Sequence, residues 1–153
     1  MKKQLLLFAF SAVAFTSCKD DDLQAYEMEM MKGDWKEVKT EVISGKDNKT
    51  VLSTTTPQGC SIKNTLFFRT DFYVSYTAYT GTGADCQPNA KSEGKYTYDE
   101  ESKILGIKFD NDENKDYRVD ILTSKDLRVA QKFGSFDQDG DKIPDIVYIT
   151  YKR

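Results

Sequence analysis

With 153 residues and 17.5 kDa, the chain has room for one domain with short appendages and none for two packed domains. Hydrophobic residues at 39% and aromatics at 12%, beside 31% charged residues, supply a core that disordered chains lack. A net charge of -3 and a pI near 5.1 exclude a basic nucleic-acid-binding surface, and the absence of histidine removes the common zinc sites, His-based nucleophilic triads and imidazole acid/base relays.

Residues 1–17 have the layout of a signal peptide: Lys2 and Lys3, an apolar run from Leu5 to Phe15, then Thr16 and Ser17 before Cys18. As a helix that run rises about 16 Å, roughly half of the ~30 Å hydrocarbon core a membrane span must cross. Thr16-Ser17-Cys18 resembles a bacterial lipobox, which implies cleavage before Cys18 and acylation of that cysteine, with Phe15 where such motifs favour Leu. Several acyl chains, at about 0.8 kcal/mol per buried CH₂, make a stable membrane anchor. Cleavage removes Lys2 and Lys3 and takes the side-chain charge from -3 to -5. Lys19-Asp20-Asp21-Asp22 resembles the short acidic signal that sends lipoproteins of some Gram-negative bacteria to the outer face of the outer membrane. The resemblance implies an outer-membrane, lipid-anchored protein facing the cell exterior. Residues 18–32 then form the lipidated cysteine, an acidic tether and a short helix over Leu23 to Lys32, where Leu23, Tyr26, Met30 and Met31 recur at near-helical spacing before Gly33.

From Gly33 the helical period disappears. Strands are predicted near Trp35 to Ile43, Thr50 to Thr56, Asn64 to Arg69, Phe72 to Tyr79, Gly94 to Tyr98, Ile104 to Phe109, Tyr117 to Leu122, Leu127 to Phe133 and Ile146 to Lys152. Leu105, Ile107 and Phe109 alternate with Gly106 and Lys108, and Tyr117, Val119 and Ile121 alternate with Arg118 and Asp120, so one face of each strand is core. The links at residues 99–103 and 123–126 are of hairpin length and too short for crossover helices, so consecutive strands should be neighbours in an antiparallel meander, sandwich or barrel.

Gly33-Asp34-Trp35 resembles the Gly-x-Trp opening of lipocalins. The order that follows is Asn64 to Arg69 with Asp71-Phe72-Tyr73, Glu93 to Tyr98, Leu105-Gly106-Ile107 and Tyr117 to Thr123. Together they are similar to the bacterial lipocalin-like lipoproteins over nearly all of residues 33–153. The resemblance implies an all-β, antiparallel up-and-down barrel preceded by the short helix. It also implies a Trp35 that closes one barrel end, with Lys152 or Arg153 from the last strand beside it in a cation–π contact of roughly 0.5–2 kcal/mol.

With Cys18 assigned to the lipid, Cys60 and Cys86 remain, and in an oxidising compartment they should form a disulfide worth about 3.5 kcal/mol on chain-entropy grounds. Both flank turn-rich stretches, so in a lipocalin-like scaffold the bridge would staple two long loops near the mouth. No histidine is present to activate either thiolate, and two unlinked cysteines cannot complete a zinc shell. Asp137, Asp139, Asp141 and Asp145 stand at i, i+2, i+4 and i+8, an oxygen-rich spacing suited to Ca²⁺, with the Ile143 carbonyl completing the shell. Gly140 and Lys142 depart from the EF-hand pattern, and the stretch resembles one unit of the calcium repeats of thrombospondin type 3 modules, with an expected affinity of about 10⁻⁴ to 10⁻³ M.

Tyr73, Tyr76, Tyr96, Tyr98 and Phe109 are candidate pocket-lining residues, because an apolar body with a hydrogen-bonding tip suits a pocket wall. Two functions follow as expectations, neither enzymatic. One is a surface-tethered lipocalin-like protein that binds a small, mostly apolar ligand. The other is a calcium-braced interaction or structural module that meets a protein or polysaccharide.

Overall fold

The computed structural model describes residues 20–153. Helix α1 (Asp20–Met31) is followed by nine strands: β1 (Gly33–Ile43), β2 (Val51–Thr55), β3 (Thr65–Phe68), β4 (Tyr73–Thr80), β5 (Gln87–Asp99), β6 (Ile104–Phe109), β7 (Lys115–Leu122), β8 (Asp126–Gln131) and β9 (Ile146–Lys152). The signal segment and Cys18 lie outside the described residues. Every pairing is antiparallel, and each strand from β3 to β9 pairs with the next. The sheet closes because β1 pairs with β9 on one edge, from Lys36↔Lys152 to Ile43↔Ile146, and with β3 on the other, from Gly33↔Phe68 to Lys36↔Thr65. The result is an eight-stranded antiparallel barrel without an open edge, the geometry that removes the liability of unpaired strand backbone.

The ninth strand, β2, pairs with β1 over Thr40↔Thr55 to Ile43↔Val51, on the same edge as β3 but farther along. Between these two pairings, residues 37–39 of β1 face a detour of the chain, residues 56–64, that contains a turn of 3₁₀ helix (Gly59–Lys63). Asn64 ties the detour to β4: its side-chain amide donates to the Tyr76 hydroxyl at 2.9 Å, and its carbonyl oxygen accepts the Tyr79 amide at 2.8 Å. The Cys60–Cys86 disulfide, with Cα atoms 5.4 Å apart, joins the detour to the start of β5.

Pleat alternation sends Trp35, Leu66, Phe68, Val74, Tyr96, Tyr98, Leu105, Ile107, Val119, Leu127 and Val129 into one buried cluster. The turns that hold this register carry their own chemistry. Asp99 accepts the Glu101 and Ser102 amides between β5 and β6, and the Thr123 hydroxyl accepts the Lys125 and Asp126 amides between β7 and β8.

The helix covers one end of the barrel. Met31 is fully buried in the cluster, and its carbonyl accepts the Trp35 indole N–H at 2.7 Å. Glu27 accepts the Tyr98 hydroxyl at 2.6 Å and pairs with Lys103 at 2.7 Å, which fixes the helix over the β5–β6 turn. Helix α1 begins at Asp20 and stops at Met31, a little ahead of the expected Leu23 to Lys32, because Gly33 takes φ +111°, a conformation that side chains disfavour.

Candidate functional site

The barrel interior beyond the Trp35 plug is not filled. A cavity of about 260 Å³ lies inside it, with an apolar floor of Leu66, Leu105, Ile107, Leu127 and Val129. Phe109, Tyr76, Tyr117 and Tyr151 form aromatic walls, and Glu37 and Lys115 bring charge to the lining. Register explains the set. Glu37 lies two residues after the inward Trp35 and opposite Tyr151, and Lys115 lies opposite the inward Ile107. Farther toward the opposite end from α1, Val42, Gln131, Phe133, Phe136 and Val147 line a more open space of about 340 Å³. Gln131, the polar exception in the alternation of β8, is inward at that level, where Tyr117 faces it across the pairing.

Burial keeps Tyr117 and Tyr151 of the lining neutral. It pushes the hydroxyl of Tyr117 above its ordinary value, and that of Tyr151 further, with the nearby Tyr117, Glu37 and Tyr76 adding to the effect. Glu37 accepts the Thr40 hydroxyl at 2.8 Å. Lys115 is held by Asp112 of the β6–β7 turn at 2.5 Å.

Of the aromatic residues proposed from sequence, Tyr76 and Phe109 are in this lining and three are elsewhere. Tyr96 and Tyr98 point inward but lie nearer the closed end. Tyr96 packs edge-on to Phe68 at 5.0 Å and donates to the Arg69 carbonyl at 2.8 Å, while Tyr98 reaches Glu27 of the helix. Burial pushes the Tyr96 hydroxyl up to about 12 and raises that of Tyr98, the latter helped by the Glu27 carboxylate. Tyr73 is on the other face of β4 from the inward Val74; its ring lies 4.7 Å from the Arg69 guanidinium, and its hydroxyl donates to Glu93. Residues missed from sequence are Glu37, Lys115, Tyr117 and Tyr151. Counting by twos from Trp35 reaches Glu37, and counting back by two from Tyr117 reaches Lys115.

At the closed end the Arg153 guanidinium lies 4.1 Å from the Trp35 ring centroid, and it donates to the carbonyls of Met30, at 2.6 Å, and of Lys32. Lys152 points the other way, toward Asp126 at 3.3 Å. Partial burial lowers the Arg153 pKa, though its ordinary value is so high that the charge persists.

The Asp-rich segment forms the loop between β8 and β9. One carboxylate oxygen from each of Asp137, Asp139 and Asp145 lies within 4.8 Å of the others, and Asp145 is buried. Opposed ligands of a calcium ion stand about 4.6–5.2 Å apart, so this spread suits such an ion. The turn is laid out by its own side chains: Asp137 accepts the Gly140 and Lys142 amides, Asp139 that of Asp141, and Asp141 that of Ile143. Asp141 stands apart from the three, and its second oxygen is buried without a hydrogen-bond partner; Ile143 is exposed. Asp145 spans two segments, accepting Gly45 of the β1–β2 loop at 3.1 Å and Gln138 at 2.6 Å. A Cβ at Gly45 would lie 2.0 Å from the Pro144 carbonyl oxygen, so only glycine permits this approach of the two loops.

Residues 31–129 match the model of a family described as lipocalin-like domain, more than half of the chain. Among solved structures, the chain named Odorant Binding Protein OBP1 aligns over 82% of this chain and 72% of its own length, with a TM-score of 0.40 and 12% identity. No curated protein matches.

Proposed function

This chain belongs to the lipocalin-like domain family, and from that premise we propose that it is a non-catalytic, surface-tethered protein whose barrel binds a small, mostly apolar ligand. The observation that carries this reading is the cavity of about 260 Å³ with its apolar floor. That volume is just under the roughly 300–1,000 Å³ of pockets that hold drug-sized molecules, so the ligand is small. The tether rests on sequence: residues 1–17 as a cleaved signal peptide, Cys18 as the acylated cysteine, an acidic linker to the helix, and an outer-membrane address facing the exterior.

The test is titration of an apolar anilinonaphthalene fluorophore into the wild type and into Val129→Phe, which places a larger ring on the cavity floor. Saturable binding with one site, weakened about tenfold or more in a variant with an unchanged circular dichroism spectrum, is the expected result. Equal binding by both proteins would place the fluorophore elsewhere and count against the reading. For the tether, the intact mass after bacterial expression should carry acyl chains that Cys18→Ala removes.

A second reading, a calcium-braced module that contacts a protein or polysaccharide, is favoured by the convergence of Asp137, Asp139 and Asp145. In it Asp141 and the Ile143 carbonyl would complete an oxygen shell when the loop tightens. Calorimetric titration of calcium should then give saturable heat that Asp139→Ala with Asp141→Ala abolishes. Absence of heat at millimolar calcium would leave the segment as a turn.

A further inference from the structure

The two charges on the cavity lining are not equivalent. Lys115 already has a counter-ion in Asp112, across the turn that joins β6 to β7. Glu37 has no cationic partner among the described residues: its carboxylate accepts only the Thr40 hydroxyl. The sign left over at the cavity is therefore negative. The tyrosine hydroxyls around it do not alter that balance, since burial holds Tyr117 and Tyr151 in their neutral forms. A negative group beside several aromatic rings, above an apolar floor, is the combination that attracts an organic cation, because a ring quadrupole and a carboxylate can favour the same sign.

We infer that the cavity selects a small organic amine, its apolar body on the floor of Leu105, Ile107 and Val129 and its ammonium group between Glu37 and the rings of Tyr76, Tyr117 and Tyr151. The inference rests on the ligand-binding reading above and adds a sign to it. A carboxylate of the same size would meet Glu37 as a like charge and could be rescued only by drawing Lys115 away from Asp112, so an acid is disfavoured. The position of Glu37 also accounts for how such a charge is tolerated in a barrel wall. Glu37 pairs with Tyr151 on one edge of β1 and stands on the other edge in the gap between the β3 and β2 pairings, where it also lines grooves on the outer side with Pro57 and Asn64, so it is only half-buried.

Three probes of matched size separate the outcomes: phenethylammonium, phenethyl alcohol and phenylacetate, each titrated calorimetrically into the full-length protein and into its Glu37→Gln and Lys115→Gln variants. The expected order is ammonium, alcohol, acid, with the ammonium about tenfold or more tighter than the alcohol. Glu37→Gln should abolish the lead of the ammonium over the alcohol, whereas Lys115→Gln should preserve that lead. Phenylacetate binding tightest, or a lead of the ammonium that survives Glu37→Gln, overturns the inference while the ligand-binding reading stands. Equal binding of all three does the same. Failure of all three, together with failure of the fluorophore, removes both. The order in the wild type needs no variant, so a Glu37→Gln protein that does not fold still leaves the inference open to refutation.

Discussion

The guanidinium of Arg153 does three things at once: it lies over the Trp35 ring and donates to the carbonyls of Met30 and Lys32, oxygens freed at the end of α1. A planar fork suits that task better than an ammonium, and strand alternation selects it, because Tyr151 is inward and Arg153 lies two residues on. The family resemblance leaves Lys152 and Arg153 level, whereas counting from Tyr151 separates them. Arg153→Gln should cost about 1 kcal/mol in urea unfolding, and Trp35→Ala about 3–5 kcal/mol, since the latter removes a fully buried ring and the indole N–H bond. The buried tyrosines give a pH dependence of defined sign. Tyr96, Tyr98 and Tyr151 all have folded-state values raised from the ordinary 10.0 by burial, so the unfolded chain loses these protons first. Their stabilisation is complete below about pH 10 and decays as the pH rises through that value toward the folded-state ones, with a slope of up to about 1.4 kcal/mol per pH unit for each. Urea titrations from about pH 9 to about pH 11 should show that fall, and Tyr98→Phe should make it shallower.

Among the elements, those that bury an apolar alternation were legible in the sequence, and those held by other means were not. Strands β6 and β9 coincide with the expected Ile104 to Phe109 and Ile146 to Lys152, because each carries its own signal. Strand β5 was expected only over Gly94 to Tyr98 but begins at Gln87. Its first seven residues are exposed and mostly polar, with Pro88 and Asn89 among them, so no period announces a strand. Pairing with β4, from Thr80↔Gln87 onward, keeps them extended, and the disulfide holds their start. The bridge should therefore matter beyond its own loop. Reduction, or Cys60→Ala with Cys86→Ala, should lower the melting temperature by roughly 10 °C, from a loss of about 2–4 kcal/mol. Hydrogen exchange should quicken first in residues 56–64 and 80–90. A uniform loss of protection would mean that the bridge braces the whole barrel. The charged part of the cavity lining was hidden for a different reason: Glu37 and Lys115 stand two residues from the inward Trp35 and Tyr117, on the inner face, but an apolar alternation passes over charged side chains.

At the scale of the molecule, the barrel is closed at one end and loosely stoppered at the other, and the loops at the open end are tied in pairs. Asp145 and Gly45 join the β8–β9 loop to the β1–β2 loop. Gly45→Ala should force those loops apart, destabilise the protein by about 1–3 kcal/mol and widen access to the upper part of the interior. Denaturant titration would give the first, and faster on- and off-rates of the bound fluorophore in stopped flow would give the second.

Helix α1 leads into the barrel at its Trp35 end, so whatever holds the segment before Asp20 holds the closed end. With Cys18 in a bilayer, the mouth would point into the surrounding fluid. Cargo would then arrive from the water phase, one molecule at a time, instead of being lifted out of the lipid beneath. Transfer from the protein to acceptor vesicles should accordingly proceed at a rate independent of vesicle concentration, the kinetic signature of release into water followed by diffusion; a rate proportional to vesicle concentration would mean direct handoff on collision.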